Sequence, residues 1–461
     1  MKKITFILAL LATNLGLSAQ SLGYEDLSIL FSQDERNGTA RFVAMGGAFG
    51  ALGGDVSAIN INPAGLTIFS HSSLSASLGT RNTDYRTNYY GNSNTTNQDY
   101  FTLANAGAVL VYEDFNNSDW TKFAMGFNYR IKTDFENTFL ASGNSGFASF
   151  DSYPLDINNP TLVYDTAENQ TYNNNYTGDI SEYNFAIAAQ HKDNLNIGAS
   201  VNTYNLRFNQ RSTLQETNND GNGNTLYADF YQEAFTTATG FSLSAGFLYR
   251  ANDYFRFGAS YQSPTWYTEI IEETNIVNND GYFGDTQIEV SNDNVIYDNT
   301  AGGFLPTQGF VYKLRTPSKF TASAAIVFGK VGLLSFDYTA RNYQNLNLSG
   351  ADFSAENQFF ENQLRNTNSF NVGAEWRFNE LSLRGGYMYQ ESPDANAIDS
   401  DNLKRYSLGA GYSFGDFKLD FAYSNDNRTG LYNFYPQFNQ VNPADIEIDN
   451  KRITATLTIS L

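Results

Sequence analysis

The side chains best suited to chemistry in this sequence are basic and aromatic. Lys313, Arg315 and Lys319 recur at odd positions, and an uninterrupted strand sets successive odd residues on one face. On the inner face of a closed sheet such a row could hold a carboxylate, because a carboxylate drawn out of water needs a cation to offset its desolvation. Trp266 and Tyr267, in the preceding candidate strand, could line an apolar chain attached to that carboxylate. The plainer alternative is that the charges pair with one another or with a plug, and that the rings belong to an interfacial girdle.

Other chemistries are poorly supplied. Only two histidines occur, His71 and His191. Neither has a plausible serine and acid beside it, so a hydrolytic enzyme is not expected. With no cysteine there is no disulfide scaffold, thiol nucleophile or thiolate metal site. Asn/Asp-rich stretches such as Asn292-Asp293-Asn294 lack the twelve-residue calcium-loop pattern. No cofactor or metal is therefore expected. A net charge of −20 argues against nucleic acid as a partner.

The elements that must position these residues are strands. Residues 452 to 461 alternate Ile453, Ala455, Leu457, Ile459 and Leu461 with Arg452 and Thr454, Thr456, Thr458 and Ser460, and 405 to 414 repeat the pattern. One face of each strand is apolar and the other polar. Such stretches fall near 72–86, 100–113, 120–134, 181–192, 195–210, 237–250, 254–272, 313–328, 331–345, 367–378, 381–391, 404–414, 417–426 and 449–461. That even count carries more apolar face than one soluble core needs, and closure against lipid is the natural solution. Short connections such as Asp193-Asn194, Asn379-Glu380 and Gly415-Asp416 follow the even strands, and long ones such as 135–180 and 273–312 follow the odd strands. Barrels with short periplasmic turns and long extracellular loops show this asymmetry. Aromatic residues, 15% of the chain, suit interfacial girdles.

The start of the chain gives the address. Lys2 and Lys3 precede the apolar run Ile4 to Leu11, and Leu17-Ser18-Ala19 offers a cleavage site before Gln20, so residues 1–19 are expected to be a secretory signal. No stretch approaches the roughly 20 apolar residues of a spanning helix. Residues 20–71 form a different segment, with seven glycines and six alanines between Gly38 and Gly65. Their spacing matches neither G-x-G-x-x-G nor G-x-x-x-x-G-K-[ST], which argues against a phosphate loop. A compact small-residue domain inside a barrel fits better, with residues 72–461 as the barrel.

The run Gly38-Thr39-Ala40-Arg41, Met45-Gly46-Gly47-Ala48 and Asp55 through Leu66, with Asn62-Pro63-Ala64-Gly65-Leu66 as its specific part, resembles the N-terminal hatch of the FadL/TodX outer-membrane transporters. Tyr261 to Trp266 and Leu314 to Lys319 also resemble family segments. The resemblance implies an all-β membrane protein in a Gram-negative outer membrane, a fourteen-stranded antiparallel barrel plugged by a small N-terminal hatch. It implies passive transport of hydrophobic compounds, above all long-chain fatty acids, caught near the extracellular loops and released by hatch rearrangement or a lateral opening. Gly46, Gly47, Asn60, Asn62, Pro63, Ala64 and Gly65 become candidate hatch residues, and Lys313, Arg315, Lys319, Trp266 and Tyr267 candidate ligand contacts. Expected partners are outer-membrane lipid and lipopolysaccharide, the barrel assembly machinery and a hydrophobic small molecule, with the protein monomeric. A general porin or a surface adhesin is the alternative, and an open porin has no use for a plug. The chain departs from the pattern in ending at Leu461 rather than an aromatic residue, and its loops show no clear apolar capture groove.

Overall fold

The structure, a computed structural model, describes residues 22–113, 118–152, 161–274, 286–290, 295–297, 308–435 and 440–461. The expected signal segment lies outside them. Fourteen antiparallel strands close into a barrel. They are β1 Ser73–Tyr89, β2 Asn92–Glu113, β3 Trp120–Asp134, β4 Thr166–His191, β5 Leu195–Asn219, β6 Thr225–Arg250 and β7 Phe255–Gln262 resuming at Trp266–Thr274. The second half holds β8 Gln308–Arg315 resuming at Lys319–Phe328, β9 Gly332–Asn342, β10 Asn366–Phe378, β11 Leu381–Gln390, β12 Leu403–Ser413, β13 Phe417–Tyr432 and β14 Ala444–Ser460. Closure comes from β1 pairing with β14, Ser73 opposite Ser460.

The alternation seen in the sequence sorts the two faces. Phe101, Phe185, Ile187, Tyr406, Leu408 and Ile453 are exposed on the outer wall, an apolar belt that only lipid can cover. Polar side chains face inward. A belt of buried asparagines crosses five strands: Asn105 Nδ2 donates to Asn128 (2.6 Å), Asn128 to Asn184 (3.1 Å), Asn184 to Asn202 (2.8 Å), and Asn202 to Ser242 (3.1 Å).

Two expected loops are strand instead. The connection placed at 87–99 is a two-residue turn at Tyr90-Gly91, both with positive φ (43° and 85°), the geometry hairpins favour. Likewise β4, β5 and β6 run for 26, 25 and 26 residues, so 211–236 is mostly ladder. Beyond the lipid neither face need be apolar, and the alternation that marks a strand fades there.

One ladder is incomplete. β2 pairs with β3 only between Asn105–Glu113 and Lys122–Arg130. Past Arg130, β3 bends at Phe135-Glu136 and continues as Asn137–Gly143, paired with β4 on one side. On the other side it leans against the first two strands, where Thr87 Oγ1 donates to Leu140 O (2.5 Å) and Thr96 Oγ1 to Thr138 O (2.7 Å). Among the described residues, the upper part of β2, Asn92–Ala104, has no ladder partner on that side.

Residues 22–71 lie inside the barrel as α1 Tyr24–Ser32, α2 Ala40–Ala44 and two 3-10 turns, Val56–Asn60 and Pro63–Ile68. Their apolar side chains pack on the wall in two groups, Phe42, Met45, Phe49, Leu52 and Ile61 with Ala325 and Leu333, and Val56, Ile59 and Leu66 with Val109 and Ala186.

Candidate ligand-binding site above the plug

The plug is docked by polar contacts along its length. Asn62 is 1% exposed. Its Nδ2 donates to Gly50 O and to Phe247 O on β6 (both 2.8 Å), and its Oδ1 caps the turn begun by Pro63 by accepting from Ala64 N–H (3.2 Å). Asn60 Oδ1 accepts from Asn128 in the asparagine belt (3.2 Å). The amides of Phe49 and Gly50 donate to the buried carboxylate of Asp337 (3.0 Å each). Arg41 pairs with Glu375 (2.8 Å), which Arg384 also holds (2.6 Å).

Small residues let the two backbones meet. Gly46 (φ 61°) lies against Gly386 so closely that a Cβ on Gly386 would collide with the Gly46 nitrogen and the Met45 carbonyl carbon. Gly47 (φ 74°) packs under the Phe42 ring. Ala64 and Pro63 press on Gly198, and Gly65 on Gly53. All seven hatch residues picked out in the sequence therefore sit in the plug, five of them, Gly46, Asn60, Asn62, Pro63 and Ala64, directly on the wall.

A charged band lies above. Burial alone would raise the pKa of Asp34, but Arg130 (2.8 Å), with Lys319 and Arg341 farther off, holds it well below the usual carboxylate range. Burial likewise opposes Glu35, and Arg452 (2.8 Å) and Arg81 outweigh it to lower that group too. Arg405 donates to Glu35 O (2.6 Å).

Above this band is a cavity of about 710 Å³. Leu22, Leu27 and Leu30 of the plug, Phe135, Phe139, Tyr176 and Phe208, and Ile446 and Ile448 supply apolar wall. Glu25, Asp26, Glu35, Asp134, Glu136 and Glu272 face it with Arg81 and Arg428. Arg81 is committed to Asp134. Arg428, on the inward face of β13, forms no ion pair among the described residues. Asp26 reaches the cavity's solvent yet sits deep in the lumen, and burial, with Glu25 adding to it, pushes its pKa up to about 6.

The ligand contacts expected from the sequence do not gather here. Lys313 and Arg315 lie exposed on the outer wall, whereas Lys319 is buried 3.7 Å from Asp34. Trp266 also faces outward, its ring tilted against Phe241 (5.2 Å), and Tyr267 faces inward near Tyr204 (6.4 Å). The cause is a paired bend. Pro264 and Pro317 have no N–H to give the ladder, so Ser263–Thr265 and Thr316–Ser318 bulge together. Thr265 N–H donates to Thr316 Oγ1 (2.9 Å) and Thr316 N–H to Thr265 O (3.0 Å). The three-residue break shifts the alternation by one, and residues extrapolated across it change face. Arg428 and Asp26 went unnoticed in the sequence. Arg428 carried a signal, an even position continuing the inward set Asp420 and Asp426, whereas nothing local marked Asp26. The histidines stand apart from the cavity, His71 exposed before β1 and His191 against Trp120 (5.1 Å).

No curated protein matches the sequence. Among solved structures, a FadL homologue of Pseudomonas aeruginosa is 14% identical, with 93% of this chain and 99% of that one covered at a TM-score of 0.59. The toluene transporter TbuX of Ralstonia pickettii is 17% identical (92% and 99%, TM-score 0.54), and the toluene transporter TodX of P. putida 14% (93% and 99%, TM-score 0.54). At these identities the likeness concerns the fold. The family model for outer membrane protein transport proteins (OMPP1/FadL/TodX) matches residues 31–429, and the chain accordingly belongs to the FadL/TodX family of outer-membrane barrels in Gram-negative bacteria, transporters of hydrophobic compounds and not enzymes.

Proposed function

We propose that this barrel takes up long-chain fatty acids, each held first in the cavity above the plug, and that residues 20–71 act as the gate beneath it. The observation that carries the reading is the position of the cavity: it adjoins the bend of β3 at Thr133 through Asn137, a few residues beyond Arg130, where the ladder to β2 ends. Its volume lies within the range usual for small-molecule sites. A ligand there would have a lateral way out between β2 and β3, besides the route opened by moving the plug. Arg428 is the cation within reach of a carboxylate head. The barrel would work as a monomer bounded by lipid and lipopolysaccharide and inserted by the barrel assembly machinery; pairing of β1 with β14 closes the sheet on itself, as a barrel does without a second copy.

A second reading, an uncharged aromatic hydrocarbon, draws on the six acidic side chains around the cavity against two arginines, which disfavour an anion, and on the toluene named for TbuX and TodX. Binding of oleate, dodecane and toluene to the wild type and to Arg428→Gln separates the two. The fatty-acid reading expects the variant to lose about tenfold or more for oleate alone, a charge-assisted hydrogen bond being worth roughly 1.5–3 kcal/mol. Equal losses for all three, or toluene binding without oleate binding, would favour the hydrocarbon.

A further inference from the structure

Outside the large cavity, the barrel interior holds a cluster of buried cations that the nearby carboxylates neutralise only in part. Arg36, Arg130, Lys132, Lys319 and Arg341 are each less than a tenth exposed. Three carboxylates accompany them. Asp34 and Glu182 both bond to Arg130 (2.8 and 2.6 Å), and Asp337 is held by the amides of Phe49 and Gly50. The other four cations are left with little. Lys319 and Arg341 stand 3.7 and 3.6 Å from one oxygen of Asp34, beyond hydrogen-bond distance. Lys132 forms no ion pair among the described residues; its ammonium donates to Phe31 O (3.3 Å) and lies over the Tyr204 ring (5.5 Å). Arg36 donates to Thr339 (3.0 Å) and leaves its Nε and Nη1 hydrogens without acceptors.

Four of the five cations wall a second, small cavity of about 30 Å³: Lys132, Lys319, Arg341 and Arg130 line it with the bend residues Thr265 and Thr316 and the carboxylates of Asp34 and Glu182, while Arg36 lies outside its lining. A water needs roughly 10–15 Å³ measured this way, so there is room for one small ion or a pair of waters. A buried ammonium is costly without a counter-ion. It keeps an anion or gives up its proton.

We propose that this cavity binds a halide ion, chloride in the native setting, between Lys132, Lys319 and Arg341. The cavity has no room within it for an alkyl chain and shares no lining residue with the large one, so the ion belongs to the dock between plug and wall and not to a transported ligand. It offsets the cation surplus where Asp34 meets the paired bend of β7 and β8.

Crystals of the complete mature chain, soaked in sodium bromide and measured at the bromine absorption edge, test this without a substitution. The expected result is an anomalous peak in the small cavity within hydrogen-bond reach of Lys132 Nζ and Lys319 Nζ. It should persist when oleate is added. A cavity with no anomalous signal would overturn the proposal, since waters or deprotonated lysines would then account for it, and loss of the peak on adding oleate would overturn it by joining the site to the transport path. In detergent solution, the Tm of the wild type should rise with chloride and saturate, compared with isethionate at equal ionic strength, and Lys132→Met should remove that dependence. An identical response to both salts in the wild type would also refute the site.

Discussion

Replacing Asn62 by alanine removes the side chain that joins three parts of the plug dock at once. Two carbonyls, Gly50 O and Phe247 O, lose their 2.8 Å donor and Ala64 N–H loses its cap, all at a site 1% exposed. Each hydrogen bond contributes about 1 kcal/mol, and a buried group left unpaired costs about 1–3 kcal/mol. Some of that cost will be relieved by water entering the vacated space, so the docked plug should lose roughly 3–5 kcal/mol. At about 1.4 kcal/mol per decade, undocked plug becomes roughly a hundredfold to several thousandfold more frequent. Asn62→Asp separates the two roles of the side chain. The carboxylate can still accept from Ala64, but it cannot donate to the two carbonyls and places a negative charge against them. Single-channel recording in planar bilayers is the assay, with heat-modifiable gel migration to establish that the barrel is folded. Both variants should show frequent openings that the wild type lacks. Folded Asn62→Ala protein with wild-type conductance would mean that these contacts do not hold the gate.

The wall glycines make a sharper contrast. Gly386→Val should unseat the plug and raise conductance, because its Cβ meets the Gly46 nitrogen and the Met45 carbonyl carbon, whereas Gly385→Val, whose Cβ has only Leu408 and a Ser407 carbonyl at 3.7 and 4.0 Å, should conduct as the wild type does. Asp26 carries a pKa raised to about 6, so its charge is the disfavoured form and is lost as pH falls through 6; fatty-acid binding should strengthen between pH 7.5 and 5, and Asp26→Asn should flatten that profile in a titration calorimeter. Asp34 and Glu35 shift the other way. A depressed carboxylate contributes stability above its unfolded pKa, near 4, and loses it as pH falls through the lower folded value, so conductance against pH should stay flat to about pH 4 and rise only below it.

Much of this arrangement was legible in the sequence because a lipid-facing strand must alternate with period two. Fourteen such stretches and the alternation of short and long connections gave the strand count, and the glycine and alanine density of residues 38–65 gave a domain able to press against a wall. Three features were not legible. The phase of β7 and β8 above their bend turned Lys313, Arg315 and Trp266 outward, although Pro264 and Pro317 were themselves signs of a broken ladder. The outer halves of β1, β2, β5 and β6 were hidden because strands standing clear of lipid carry polar residues on both faces. The pairing of Asp34 with Arg130 and Glu35 with Arg452 spans 96 and 417 positions, and no local pattern encodes such a contact.

The most direct test of the account is where a hydrophobic ligand lies. A long-chain fatty acid with a diazirine in its alkyl chain, photolysed on the purified protein and mapped by peptide mass spectrometry, should label the lining of the large cavity, at Leu27, Leu30, Phe135, Phe139 or Tyr432, and excess oleate should suppress the adducts. Adducts confined to the outer wall around Lys313 and Trp266, or adducts that oleate does not suppress, would contradict it.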